Sequence, residues 1–254
     1  MKPGQFDCTG LFLWHSSMKT VAIIPAGGYG KRMGADVSKQ YLLLNGIPVL
    51  VHTLRVFQEL PLIDDIFLIV PADDVEFVKL GVVEEYGLTR VSRVLPGGME
   101  RQDSVRNGIE LVGPEYDVVV IHDGVRPFVT ADLICAVVSE VAAESAVTLG
   151  VPVKDTVKVV DSQRWIKGTL DRNEVWLTQT PQAFRRDIIK TAYEAAYKDH
   201  HYGTDDASLV ERIGVGVKMI FGSYDNIKIT TKDDIVLADA LMKKFVECGH
   251  GSDV

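Results

Sequence analysis

The chain has 254 residues, 46% hydrophobic and 24% charged, with a formal net charge of −8. That length suits one large α/β domain or two small ones, and the acidic balance argues against a general nucleic-acid binder, which carries a basic footprint. Cys8, Cys135 and Cys248 are odd in number and far apart, so they make neither a CxxC metal pattern nor a disulfide framework, and a reducing cytoplasm fits them.

Residues 1–17 hold only the short apolar run Leu11-Phe-Leu-Trp14, too short for a signal-peptide core. They read as a disordered extension or a misassigned start ahead of Met18. No run is long enough to span a membrane. Val21-Ala-Ile-Ile24 then reads as a fully buried strand ended by Pro25. Gly27, Gly28 and Gly30 follow, where the backbone can approach a ligand closely and successive N–H groups can form an anion-binding concavity. With Lys31, Arg32 and Lys39 close behind, the turn suits a polyphosphate. It is not a P-loop, because Arg32 stands where Ser or Thr belongs and Pro25 where the first Gly belongs. Nor is it a dinucleotide fingerprint, because Met33 replaces the third Gly and the region Leu44–Leu54 offers no acidic residue.

Asn45-Gly46 marks a turn, and Val49–Leu60 has the spacing of an amphipathic helix. Strands are predicted at Ile66–Val70, Arg93–Leu95, Val118–Ile121 and Ala146–Val151, with helices at Asp73–Tyr86, Gln102–Val112 and Ala131–Glu144. From Pro152 to Gln179 the alternation changes to a hairpin, Thr156–Asp161 and Arg164–Leu170 about a turn at Ser162-Gln163. An isolated two-stranded arm is marginal in water, so it is expected to pack on a second subunit. Helices at Arg186–Tyr197 and Thr204–Gly214, strands at Lys218–Phe221 and Ile227–Thr230, and a last helix at Lys232–Glu247 follow. The last helix opens on the capping-box variant Thr231-Lys-Asp-Asp234, and the tail after Cys248 is expected to fray. The whole reads as one α/β domain over 18–247: a doubly wound, mainly parallel Rossmann-like sheet with a projecting β-hairpin arm at about 152–173. Ligands bind such sheets at the carboxyl ends of the strands. The glycine turn and His122-Asp-Gly-Val-Arg-Pro127 should therefore face one crevice.

The strand ends carry Arg32, Lys39, Asp123, Arg126, Arg172, Asp225 and Lys228. Cations that neutralise a transferring phosphoryl group, and carboxylates for a magnesium ion or a ribose hydroxyl, are the types needed for chemistry on a nucleoside triphosphate. His122 reads as structural, and the exposed pair His200-His201 lacks a third zinc ligand.

Several segments carry a family resemblance. They are Pro25–Met33 with Lys39-Gln40, Gly97-Gly-Met-Glu-Arg-Gln-Asp-Ser104, His122–Pro127, Pro152–Thr156, Asp171-Arg-Asn173, Thr180-Pro-Gln182, Thr204–Ser208 and Asp225–Thr230. In this order and spacing the set resembles the sugar- and polyol-phosphate cytidylyltransferases, and within them the 2-C-methyl-D-erythritol 4-phosphate cytidylyltransferases. The resemblance implies transfer of CMP from CTP to a polyol phosphate. Arg32 and Lys39 would stabilise the transition state, and Arg172, Lys228, Thr156, Thr204 and Arg126 would position the acceptor. It implies a CTP site of Pro25, Ala26, Gly27, Gly28, Gly30, Gly98, Met99, Ser104, Asp123 and Gly124, with Asp123 and Asp225 near a Mg2+ held largely by the triphosphate. It further implies a homodimer through the arm. A ribitol 5-phosphate cytidylyltransferase shares this pattern, since a methyl contrast is worth only about 1–3 kcal/mol. A non-catalytic nucleotide-binding module is the alternative of another class, opposed by the retained cations. A glycosyltransferase would want Asp-x-Asp, but Val125 stands at the second position.

Overall fold

The computed structural model describes residues 18–27 and 38–247. The expected extension at 1–17, the tail at 248–254, and Gly28, Gly30, Lys31 and Arg32 of the glycine turn lie outside the described residues. The described chain runs β1 (Thr20–Pro25), a 3-10 turn (Lys39–Tyr41), β2 (Leu43–Leu44), β3 (Ile47–Pro48), α1 (Val49–Glu59) and β4 (Asp65–Val70). Next come α2 (Val75–Val78), β5 (Val91–Pro96), α3 (Arg101–Glu110), β6 (Val118–Ile121), α4 (Ala131–Glu144) and β7 (Ala146–Pro152). The last part is β8 (Lys158–Val160), β9 (Ile166–Thr169), β10 (Trp176–Arg185), α5 (Arg186–Lys198), α6 (Asp206–Arg212), β11 (Lys218–Phe221) and α7 (Lys232–Glu247).

The main sheet has the order β11-β7-β10-β6-β1-β4-β5. All its pairs are parallel except those of β10, which is antiparallel to both β6 and β7. Alternation along the central strands divides the core. Ala22, Ile24, Leu68, Val70 and Val120 face α1 and α4, packing with Leu54, Phe57 and Val137. Val21, Ile23, Phe67, Ile69, Val119 and Ile121 face α3 and α5, packing with Val105, Ile109, Ile189 and Tyr193. Helices on both faces explain why these strands read as unbroken apolar runs. Each fully buried Ile, Leu or Phe adds about 1.5–3 kcal/mol relative to exposure.

The chain leaves β1 towards β4 and β5, then returns to the other side of β1 as β6. That reversal is the topological switch point, and in such sheets ligands bind in the crevice outside the carboxyl ends of the strands that flank it, here β1 and β6. Backbone bonds tie the strand ends together: Gly124 N to Pro25 O at 3.1 Å, Ala26 N to Ile69 O at 2.7 Å and Gly97 N to Val70 O at 2.7 Å. Gly124 permits the first of these, since a Cβ there would meet Ala26 Cβ and Leu50 Cδ1 at 3.0 Å.

Three expectations need correction. No strand forms over residues 227–230: Ile229 instead makes one backbone bond, to Val125 O at 2.9 Å, and is buried beside Val125, Phe128 and α7 residues. Its alternating pattern serves a packed loop with no strand neighbour. The single helix expected at Asp73–Tyr86 is a 3-10 turn at Ala72–Asp74, then α2, then a π-helical turn at Lys79–Glu84. Gly81 within that turn weakens the α ladder. The strand β10 was not anticipated, because Pro181 lies inside it and proline argues against a central strand. A register shift between Gln179 and Gln182 accommodates the proline, as bulges do. The capping box of α7 is as expected, with Asp234 Oδ2 accepting from Thr231 N at 2.7 Å.

The arm, β8 paired with β9, forms a separate two-stranded sheet between β7 and β10. Asp161 closes its turn by accepting from Gln163 N and Trp165 N, both at 2.9 Å. Val159, Val160, Trp165 and Ile166 are exposed along it.

Candidate active site

The turn after β6 gathers the charges of the crevice. Asp123 is 5% exposed and three cations converge on it. Arg101 Nε lies 2.9 Å from Oδ1, Lys228 Nζ 2.8 Å from Oδ2, and Arg126 Nε 3.5 Å from Oδ2. Burial alone would favour the neutral acid, but Arg101, then Lys228 and Arg126, outweigh it and hold the carboxyl well below the usual range. Arg101 reaches past Asp123 to grip Asp206 with Nη1 and Nη2 at 3.1 and 2.8 Å. Three cations against two carboxylates leave the cluster with an excess positive charge, the right sign for a phosphate.

The same turn is fixed from behind by His122. His122 Nε2 faces Arg126 O at 3.3 Å, and a carbonyl only accepts, so the ring's proton sits on Nε2. Nδ1 then accepts from the Thr180 hydroxyl at 3.1 Å, while Thr180 Oγ1 itself accepts from Asp123 N at 3.1 Å. Burial pushes the His122 pKa down to about 3, helped by Arg126 and Lys228 and opposed by Asp123. The imidazole is therefore neutral and both its nitrogens are engaged, which agrees with a structural role. Arg126 donates from Nη1 to Asn226 O at 2.8 Å, and Asn226 Nδ2 donates to Thr180 O at 2.8 Å. The loop after β6, the middle of β10 and the loop before α7 are thus one hydrogen-bonded unit.

The loop from Gly97 to Glu100 forms the next wall. Ser104 Oγ accepts from Gly98 N and donates to Glu100 O, both at 3.1 Å, and Asp103 Oδ2 accepts from Glu100 N at 3.0 Å. Gly98 has no room for a side chain, since a Cβ would lie 2.3 Å from Asp103 Cβ. Met99 is 95% exposed. Ser104 is buried and its hydroxyl is spent on shaping the loop.

The structure brings Asp123, Gly124, Arg126 and Lys228 together at the switch point, with Pro25 and Ala26 buried at the end of β1 and Gly27 exposed beyond them. Lys39 begins the 3-10 turn and is half-buried. Arg32, Gly28 and Gly30 lie outside the described residues. Thr204 is exposed just ahead of α6. Thr156 and Arg172 stand exposed on the arm and make none of the contacts that hold the Asp123 cluster. Asp225 also takes no part, because its carboxylate pairs with Lys244 of α7. Among the described residues no group of three or more His, Cys, Asp or Glu could hold a metal ion. Asp123 has both oxygens committed to cations. Asp123 and Asp225 are expected only beside a Mg2+ held largely by the triphosphate, and in this structure each carboxylate is paired with cations of the chain.

Sequence reasoning gave no role to Arg101, Asp206, Thr180 or Asn226. All four lie inside the quoted motifs. The pair Asp205-Asp206 reads as suited to a helix N-terminus; Asp205 is the N-cap, accepting from Ser208 N at 2.9 Å, while the carboxylate of Asp206, in the first turn, is gripped by Arg101. A second acid where one suffices was the available signal.

Fold and site together define a nucleotide-handling α/β protein with an anion-binding crevice at its switch point. Residues 20–244 match the family described as 2-C-methyl-D-erythritol 4-phosphate cytidylyltransferase. The proteins of that name from Syntrophus aciditrophicus and Geobacter metallireducens are 54% and 49% identical to this chain, covering 89% of it and 97% and 99% of themselves. The crystal structure of 4-diphosphocytidyl-2C-methyl-D-erythritol synthase from Anaerococcus prevotii superposes with a TM-score of 0.80 at 34% identity, over 89% of this chain and 97% of that one. The chain belongs to the 2-C-methyl-D-erythritol 4-phosphate cytidylyltransferase family and is a nucleotidyltransferase.

Proposed function

We propose that this enzyme transfers CMP from CTP to 2-C-methyl-D-erythritol 4-phosphate, giving 4-diphosphocytidyl-2-C-methyl-D-erythritol and pyrophosphate for isoprenoid precursor synthesis. The observation that carries the reading is the convergence of Arg101, Arg126 and Lys228 on one buried carboxylate at the switch point, in a chain that matches the family over residues 20–244. An acceptor phosphate oxygen attacks the α-phosphorus in line. The bond from that phosphorus to the bridging oxygen breaks, and pyrophosphate leaves with the electron pair. A phosphate is already a nucleophile at neutral pH, so the reaction needs no general base.

Lys228 and Arg126 receive the acceptor phosphate. Lys228 exchanges an Asp123 oxygen for a phosphate oxygen, and Arg126, held against Asp123 and Asn226, adds its positive charge. Arg32 and Lys39 stabilise the charge that grows on the equatorial oxygens. The glycine turn with Pro25 and Ala26 carries the phosphates, the Gly98–Met99 backbone reads the base, and Asp123 with Gly124 faces the ribose. A Mg2+ would be held largely by the hard oxygens of the triphosphate, with Asp123 and Asp225 near it, and would neutralise part of the phosphate charge.

The exposed apolar arm supports an obligate homodimer, in which Thr156 and Arg172 complete the partner's acceptor site. No described helix is long and apolar enough to cross a membrane, and a cytoplasmic setting suits a chain whose three cysteines are odd in number and far apart in sequence. Pyrophosphate release with CTP and Mg2+ tests the reading, comparing 2-C-methyl-D-erythritol 4-phosphate with ribitol 5-phosphate. Preference for the first supports it. Preference for the second keeps the chemistry and changes the acceptor, and release with neither overturns it.

A further inference from the structure

One guanidinium joins three separate chain segments at the crevice. Arg101 opens α3 directly behind the Gly97–Glu100 loop. Its Nε donates to Asp123 at the end of β6, and its two terminal nitrogens donate to Asp206 in the first turn of α6. Asp206 is 1% exposed and also accepts from the Tyr193 hydroxyl of α5 at 2.5 Å. Gln182 on β10 braces the same helix start, donating to Asp205 Oδ2 at 2.9 Å and accepting from Ala207 N at 3.0 Å.

Nothing local requires a buried acid at position 206. Asp205 already caps α6, and an apolar side chain is often as stabilising as a buried ion pair. What Asp206 supplies is geometry. A two-oxygen grip on a planar guanidinium fixes its plane as well as its position. With that plane fixed, the remaining Nε–H is aimed at one oxygen of Asp123. Thr204, expected on the acceptor side, lies two residues before this anchor, and the Gly98–Met99 backbone lies just ahead of Arg101 in the chain.

We propose that Arg101 is a positioning residue for nucleotidyl transfer: anchored by Asp206 and Tyr193, it holds the Asp123 carboxylate in the orientation that receives the nucleotide. The inference rests on the nucleotide-facing role proposed above for Asp123. Arg101 touches neither reactant and acts through Asp123. Its loss should therefore cost nothing once Asp123 can no longer do its work.

The test is a double-mutant cycle of Arg101→Lys and Asp123→Asn, with CTP affinity by calorimetry and steady-state turnover measured on all four proteins. Lysine keeps the charge but cannot span two carboxylates in fixed geometry. In the wild-type background, Arg101→Lys should lower kcat/KM by about 100-fold, the order expected when a reacting group is misplaced by about 1 Å. In the Asp123→Asn background it should change CTP affinity and turnover by no more than about 2-fold. Equal losses in the two backgrounds overturn the proposal, because a merely structural role would be felt in both. If Arg101→Lys does not fold, Tyr193→Phe takes its place in the cycle, since it removes one hydroxyl and leaves every ion pair. Were the wild-type enzyme to bind CTP without transferring CMP, the functional reading would fall, while the affinity cycle would still decide the role of Arg101.

Discussion

His122 makes the stability of this fold depend on pH in a direction that its surroundings dictate. In the native state its pKa is pushed from 6.5 down to about 3, chiefly by complete burial. The unfolded chain therefore binds a proton below pH 6.5 that the native chain refuses. Stability from this group is fully present above about pH 6.5 and falls as pH drops towards the native value, by about 1.4 kcal/mol per pH unit. Between pH 7 and pH 5 the loss is about 2 kcal/mol, which lowers Tm by about 4–8 °C for a domain of this size. Burial also lowers the pKa of His52, which gives the wild-type curve extra slope of the same sign. The informative quantity is thus the difference between wild type and His122→Gln, in which position 122 cannot titrate and His52 cancels. Urea unfolding at pH 7, 6 and 5 should show wild type losing stability faster than the variant by about 2 kcal/mol over the range. Parallel curves would refute the claim that the ring is buried neutral between Thr180 and Arg126.

Lys39→Ala should cut turnover by about 10²–10³-fold while changing CTP affinity much less, as read by steady-state kinetics and calorimetry on one preparation. Lys228→Met should raise KM for the acceptor phosphate by about 10–100-fold, the worth of a charge-assisted hydrogen bond, and leave KM for CTP nearly unchanged. Ser104→Ala strands the Gly98 N–H, costing about 1 kcal/mol, and should appear as a raised KM for CTP with kcat retained. Ile166→Asp places a charge on the exposed arm and should yield monomers in ultracentrifugation together with loss of turnover; an active monomer would remove the arm from the site.

How much was legible in advance depended on what kind of signal each element leaves. The central strands announce themselves because both faces of the sheet are covered, so Val21–Ile24 and Val118–Ile121 are apolar at every position. The strand β10 carries Thr178, Gln179, Thr180, Pro181 and Gln182 in its middle, a composition that reads as loop. Those polar groups are there because this part of the strand holds the site: Thr180 and Gln182 bond the His122 turn and the start of α6. Position 227–230 is the converse case, where apolar alternation marks packing against α7 with no strand beside it.

The site followed a similar division. Charged residues at strand ends were visible as types, and the switch point follows from the strand order, so the gathering of Asp123, Arg126 and Lys228 was within reach of sequence reasoning. Which charge meets which was not. Arg101 and Asp206 are separated by 105 residues and are brought together only because α5 and α6 fold back over α3. Each looks ordinary where it stands, one as the first residue of a helix and the other as an acid in a first turn. Their pairing is a property of the topology, and so is the consequence. Burial by itself would favour the neutral acid at Asp123, and it is cations from three separate segments, Arg101, Lys228 and Arg126, that outweigh it. The positive side of the site is therefore gathered by the tertiary fold and by no single stretch of sequence.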